Sequence, residues 1–519
     1  MKFLDTWDGL LNRLTEKRFY FGLLLLMTFG LAFLLAKLDL GLQRHFLIVA
    51  CDSAAFQSAI VNTLNGHWFR DTAYDGPNFL GLHVTFVLLL LAPIYAAFPS
   101  VDTLFLLQVF GVYSALIPLY LVAWEELKRP FAAFLIAMTA LMNPLLFQMA
   151  MAPFHPETWI LAAALWSYYF YRRDQVIGFW LSMVFALSCG EQAALLYSAF
   201  GLALLCVEDG LAWRQRYGKF ALVAGVVWLI VAVGIISPSL RHPDQQNLFA
   251  YNYANWSLPS DQSDQRVTSA LDLAKALPQD PLHALLLLLN PVRWGHLAML
   301  VGIPFFLCFL RRRELLLLAP FPVYFLMTDQ EFFRNFHAYY YQFAFFAAYL
   351  GLIGFVARWE VSTRLGLTVF CAAFFLNFLV LSTNAARYVG FYFDHREGLN
   401  DSLHDEFAKI PVNAAVYGPH RFSAYLSNRE NMVMGDLRDE KLDFNAMLNA
   451  RYSTTNVRPE QIDYIVCDLL DDQCGWRQGG FSAEWTQSRT DNVQRLIKTG
   501  QWQMFWNDSH VVILRRVRS

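Results

Sequence analysis

The chain has 519 residues, of which 56% are hydrophobic and only 16% charged. Soluble domains carry roughly 25% charged residues, so this composition excludes an ordinary soluble fold and indicates an integral membrane protein. The formal net charge of −2 says nothing about nucleic acid, no basic tract points to it, and no nucleic-acid partner is expected. The start, "MKFLDTWDGLLNRLTEKR", is too polar for a signal peptide, and the first apolar run is long enough to span.

In chain order, spans are expected over Phe19–Lys37, Thr103–Ala123, Phe131–Met151, Thr158–Tyr171, Phe220–Ile236, His296–Leu310, Leu315–Met327, Ala338–Ala357 and Leu365–Ser382. Cytoplasmic loops are enriched in Lys and Arg. The basic clusters are Arg13/Lys17/Arg18, Lys128/Arg129, Arg172/Arg173, Arg214/Arg216/Lys219, Arg311/Arg312/Arg313 and Arg358/Arg364. All lie on one side only if 176–207 is a hairpin turning at Glu191 and Leu80–Phe98 does not cross. Pro93 and Pro99 suit a juxtamembrane or re-entrant helix there. The expected fold is an α-helical polytopic membrane protein with about eleven crossings, N-terminus cytoplasmic.

The same parity gathers polar groups at the outer face. The first outer loop, 39–101, contains "CDSAAFQSAIVNTLNGHWF", in which Asp52 opens a helical pattern. Asp52 reads either as the N-cap of that helix or as a reactive carboxylate. His83 begins the partly inserted helix. His155 and Glu157 fall in "PFHPE", which reads either as a polar turn punctuated by prolines or as part of a site. Glu191 sits at the next outer turn, and "TDQEFFRNFHAYYYQF" supplies Arg334, His337 and Tyr341. Ionisable groups at membrane depth are costly and usually line a cavity or pathway.

After Thr383 the chain turns polar. "NAAVYG", "IDYIVCDLL", "WQMFW" and "HVVILRR" read as strands, and "NVQRLIKTG" as a helix stopped by glycine. The expected division is a cytoplasmic segment 1–18, a transmembrane domain 19–383 and an extracytoplasmic α/β domain 384–519. Cys467 and Cys474 are either a disulfide or two free thiols.

These residues resemble the uncharacterised predicted membrane proteins of the GT-C superfamily of lipid-carrier-dependent glycosyltransferases. The resemblance is carried by "CDSAAFQSAIVNTLNGHWF", "GLHVTFVLLLLAPIYAAFPS", "FHPE", "CGEQ", "HAYYYQF" and, in the tail, "VYGPHRFSAYLSNRE" with "DYIVCDLL". Two motifs depart from it: the Tyr-Asp-Leu-Gly start is reduced to Cys51–Asp52–Ser53–Ala54, and Lys-Glu-Asp keeps only Glu191. The resemblance implies a GT-C-like fold and an inverting transferase that moves a hexose or pentose from a polyprenyl-phosphate donor to a glycan, lipid or protein acceptor. It implies Asp52 as the catalytic residue by position. On this reading Arg334 and Arg293 bind the lipid phosphate. His83, His155, Glu157, Glu191, His337 and Tyr341 shape the cavity, with His155 and Glu157 as candidate ligands of a divalent metal ion. The expected location is a bacterial inner membrane with the tail in the periplasm. The alternatives are a transporter or flippase of a lipid-linked substrate, and a non-catalytic assembly partner in envelope glycan biogenesis.

Overall fold

The computed structural model describes residues 17–48, 50–73, 76–207, 212–243, 253, 256, 267, 269–302, 304–307, 312–319, 341–358, 363–395, 401–435, 455–469, 483–508 and 510–518. The chain enters through α1 (Lys17–Arg44), whose 28 residues extend roughly 42 Å at 1.5 Å each. It then turns into α2 (Cys51–Leu64), a helix buried along most of its length. The run expected to be partly inserted forms a ten-residue helix, α3 (Leu88–Ala97). At roughly 15 Å, that helix is too short to cross a hydrocarbon core of about 30 Å. His83 precedes it in a loop and does not begin it.

Two helices, α4 (Val101–Tyr113) and α5 (Leu116–Leu127), form one apolar span. The next span is broken, with α6 (Pro130–Leu141) and α7 (Pro144–Ala150) meeting at 55°. The cause is local. Pro144 cannot donate the hydrogen bond that would continue α6, and the Asn143 side chain accepts from the Leu145 N–H at 2.9 Å to start a new helix. The run 176–207 is likewise two helices, α9 (Val176–Cys189) and α10 (Ala193–Val207), following α8 (Ile160–Arg172). Glu191 lies at the break, where the expected turn was placed.

The helix α11 (Ala212–Leu229) continues through a π-helical stretch, Ile230–Ile236, into Ser237–Leu240. It packs tightly on α10 because glycine removes the side chains between them. A Cβ on Gly201 would lie 2.3 Å from the Leu222 backbone nitrogen. Short helices follow at Ala270–Ala276, Pro281–Leu288 and Pro291–Val301, then α12 (Gln342–Arg358) and α13 (Thr363–His395). Thr383 lies inside α13, which runs on to His395.

Among the described residues three helices are long and apolar enough to cross a membrane, and a fourth if the bent pair is one span. Length and composition of the described helices therefore account for these spans and not for all eleven expected. Three of the six basic clusters, those at 128–129, 172–173 and 214–219, meet at one end of the bundle. Arg172 pairs with Glu126 at 2.9 Å, Arg173 and Lys128 with Glu125 at 3.4 and 2.8 Å, and Arg216 with Asp174 at 3.1 Å.

The tail is a small sheet domain. Its strands are β1 (Ala415–Gly418), β2 (Met432–Met434), β3 (Ile462–Asp468), β4 (Trp502–Asn507) and β5 (Val511–Arg516), in the order β2-β1-β3-β5-β4. The β2-β1-β3 side is parallel and the β3-β5-β4 side antiparallel. Alternating residues make two cores. One, with Tyr417, Ile465 and Leu514, takes Val493 and Leu496 of the helix Ala483–Lys498. The other, with Val416, Val466 and Ile513, takes Phe46, Ala54 and Ala73 from the membrane domain. Gly500 at φ +73 ends the helix as the sequence indicates. Cys467 is buried on β3, and Cys474 lies outside the described residues.

Candidate active site

Asp52 stands in the first turn of α2, but it is not the cap. The N-cap is Ala50, which offers no side-chain hydrogen bond, so the capping role is removed. Its carboxylate, about one-third exposed, faces His155, with Oδ2 3.5 Å from Nε2. His155 is 8% exposed and lies behind Asp52.

The "FHPE" turn is held firmly. Ser53, next to Asp52, accepts from the Phe154 N–H at 2.8 Å. Gln108 of α4 accepts from the His155 N–H at 3.0 Å and donates to the Met149 carbonyl at 2.7 Å. The His155 ring lies edge-on to Phe56 at 5.7 Å. Its Nδ1 is 2.8 Å from the Pro153 carbonyl, which can only accept, so Nδ1 carries a proton. The ring is thereby fixed with Nε2 turned to Asp52 Oδ2.

Glu157 follows in the 3-10 turn Pro156–Trp159 and is buried, with no hydrogen-bond partner for its Oε2 among the described residues. Gly190 makes room for it, since a Cβ there would lie 2.9 Å from the Glu157 Cγ. Glu191 meets His83 at 3.3 Å through Nδ1 and accepts from the Val84 N–H at 3.1 Å.

Burial disfavours the His83 imidazolium, but the bond and charge of Glu191, with the charges of Glu157 and Asp52, outweigh it. The pKa is pushed up to about 9. Burial works to raise Glu191, yet His83 and backbone N–H groups hold its carboxyl below the usual range. Burial pushes Glu157 up, against the two histidines. Asp52, His83, His155, Glu157 and Glu191, spread over 140 residues of sequence, thus gather into one cluster.

Tyr341 is buried at the head of α12. Arg334, His337 and the Arg293 side chain lie outside the described residues. Among the described residues no three His, Cys, Asp or Glu groups converge as a metal shell. With Nδ1 of His155 on a carbonyl and Nε2 on Asp52, the expected His155–Glu157 pair does not fit a metal's donor set.

One residue was missed. Arg241 ends the α11 segment beside the His83 loop, donating to the Gly81 carbonyl at 3.2 Å and to Ser237 Oγ at 2.8 Å. Both of these acceptors are neutral, and burial lowers its pKa. Its chain position, at the mouth of a long loop, carried no signal.

The family described as "Predicted membrane protein (DUF2079)" matches residues 44–513, which include every residue of this cluster. The chain belongs to this family. No curated protein matches the DUF2079 chain in sequence. Among solved structures it is similar to ArnT from Cupriavidus metallidurans bound to undecaprenyl phosphate, with 13% identity, TM-score 0.49, and 95% of this chain and 98% of that chain covered. The apo state of the same ArnT gives 14% identity and a TM-score of 0.44 over the same shares.

Proposed function

We propose that this DUF2079 protein is an integral-membrane glycosyltransferase that moves a sugar from a polyprenyl-phosphate donor to an acceptor hydroxyl on the extracytoplasmic face. The observation that carries this reading is the Asp52–His155 pair. An accessible carboxylate, freed of any capping duty, faces a buried histidine at the end of the bundle remote from the basic turns. Carboxylates within hydrogen-bond reach of a hydroxyl act as general bases. The acceptor oxygen attacks the anomeric carbon and its proton passes to Asp52. The bond from that carbon to the phosphate oxygen breaks, and the electron pair leaves with the lipid phosphate. Inversion follows from single displacement.

His155 orients Asp52 and disperses its charge. Arg241, with its two neutral acceptors, is the described cation best suited to the leaving phosphate, because an arginine fork matches phosphate geometry. On this reading the basic turns face the cytoplasm and the cluster the outer side, as the excess of Lys and Arg in the former supports, and the membrane is a bacterial inner membrane. The test is incubation of purified protein with a polyprenyl-phosphate sugar and a panel of acceptors. Release of free polyprenyl phosphate is expected, and its absence for every donor and acceptor would remove the reading.

A further inference from the structure

The chain between α1 and Asp52 is fixed by the tail domain, not by the membrane domain alone. Phe46 adopts φ +55, a left-handed conformation that bulky residues rarely take. Such a conformation persists only where its surroundings over-determine it. Here the surroundings belong to the tail. The Phe46 ring is buried in one of the two tail cores, stacked on His404 at 4.7 Å and edge-on to Phe422 and Tyr425 at 5.0 and 5.2 Å.

The backbone of Phe46 is held as well. Arg421 donates from Nε to the Phe46 carbonyl at 2.9 Å. The same guanidinium reaches Asp468, a buried carboxylate at the end of β3, at 3.2 Å. Only residues 47–50 separate Phe46 from α2. Beyond Asp52 the tail grips the helix again. Ala54 lies in the same tail core, and the Asn62 amide donates to the Glu430 carbonyl at 3.1 Å. Arg70 then pairs with Glu430 at 3.0 Å, and the Met434 N–H donates to the Ala73 carbonyl at 3.0 Å. On its other side α2 is tied to the "FHPE" turn through Ser53.

We infer that the tail domain is a fixed clamp on the Asp52 helix, and that Arg421 is a positioning residue that sets Asp52 against His155 through Phe46. The inference rests on the role given to Asp52 above. A domain that carried acceptor in and out would need a loose seam. This seam is instead a shared core with a partly buried ion pair behind it. The tail therefore holds the Asp52 helix in place through every turnover.

The test uses the full-length protein in lipid nanodiscs, with Arg421→Ala, Arg421→Lys and, as control, Arg518→Ala on the exposed face of the tail. Two readouts are taken. Hydrogen exchange over residues 51–64 should accelerate by about tenfold or more in Arg421→Ala, since a local opening is made easier. Exchange over Val101–Leu127 should stay unchanged. In the transfer assay kcat should fall by roughly 10- to 100-fold, as small misplacements of a reacting group do. The donor KM should move less than about threefold, because the donor is not what has shifted. Arg421→Lys keeps the charge facing Asp468 but loses the fork, and should recover part of both effects. It also replaces the alanine variant if that fails to fold. Arg518→Ala should change neither readout.

Unchanged exchange over 51–64 in a folded Arg421 variant would overturn the inference, as would unchanged kcat in an active enzyme. A wild-type protein with no transfer activity would sink the proposed reaction alone, and the exchange measurement would still decide this point.

Discussion

Replacing Glu191 by glutamine removes a charge while keeping most of the shape. In the native protein His83 titrates at about 9 against an ordinary 6.5. That rise corresponds to a preference for the charged ring on the order of a few kcal/mol. Both side chains are about four-fifths covered, so solvent screens the pair only in part. The sign follows from linkage. The folded pKa of His83 is raised, so its contribution to stability is complete below about 6.5 and disappears as pH rises through 9. The pKa of Glu191 is depressed, so its contribution is lost as pH falls below the carboxylate range. The pair is thus strongest near neutrality and weakens at both extremes. In Glu191→Gln the burial of His83 remains and only the weaker charges of Glu157 and Asp52 still favour the imidazolium, so its pKa should fall well below that of the wild type. Nuclear magnetic resonance of histidine-labelled protein in nanodiscs reads this directly. The wild type should show one imidazole with a midpoint near 9, absent from the variant. Thermal stability should fall between pH 7 and 10 more steeply in wild type than in Glu191→Gln. A His83 midpoint near 6.5 in the wild type, or one unmoved by the substitution, would refute the reasoning.

Arg241→Ala should weaken binding of polyprenyl phosphate by roughly 10- to 100-fold, the range of one charge-assisted hydrogen bond, in a lipid titration of nanodisc protein. Unchanged affinity would remove Arg241 from the site. Gly201→Leu should wedge α10 from α11, because even a Cβ there meets backbone at 2.3 Å. Overpacking of this kind costs about 1–3 kcal/mol or more, to be seen as a lowered melting temperature in detergent.

The sequence showed some elements plainly and hid others. The tail strands at 415–418, 462–468, 502–507 and 511–516 were legible because alternation and turn residues are local signals. The short β2 was not, since three residues carry too little pattern. The break at Glu191 followed from charge parity, and the break at Asn143–Pro144 could have been read from proline chemistry. The gathering of Asp52, His83, His155, Glu157 and Glu191 was legible only as a shared side of the membrane. Which groups pair is set by tertiary contacts, such as Gln108 on the "FHPE" turn and Val84 on Glu191. Asp52 as a possible N-cap was undecidable without the backbone, which moves the cap to Ala50. Arg241 and the seam through Phe46 and Arg421 were invisible for the same reason. Their partners lie 160 and 375 residues away.

The most direct test of the central claim is Asp52→Asn in the purified transfer assay. Asparagine keeps the size of the side chain but cannot take the acceptor proton. General-base catalysis contributes roughly 10²–10⁴-fold, so transfer should fall by about that factor, with insertion, melting temperature and donor binding retained. Full transfer by Asp52→Asn would contradict the account.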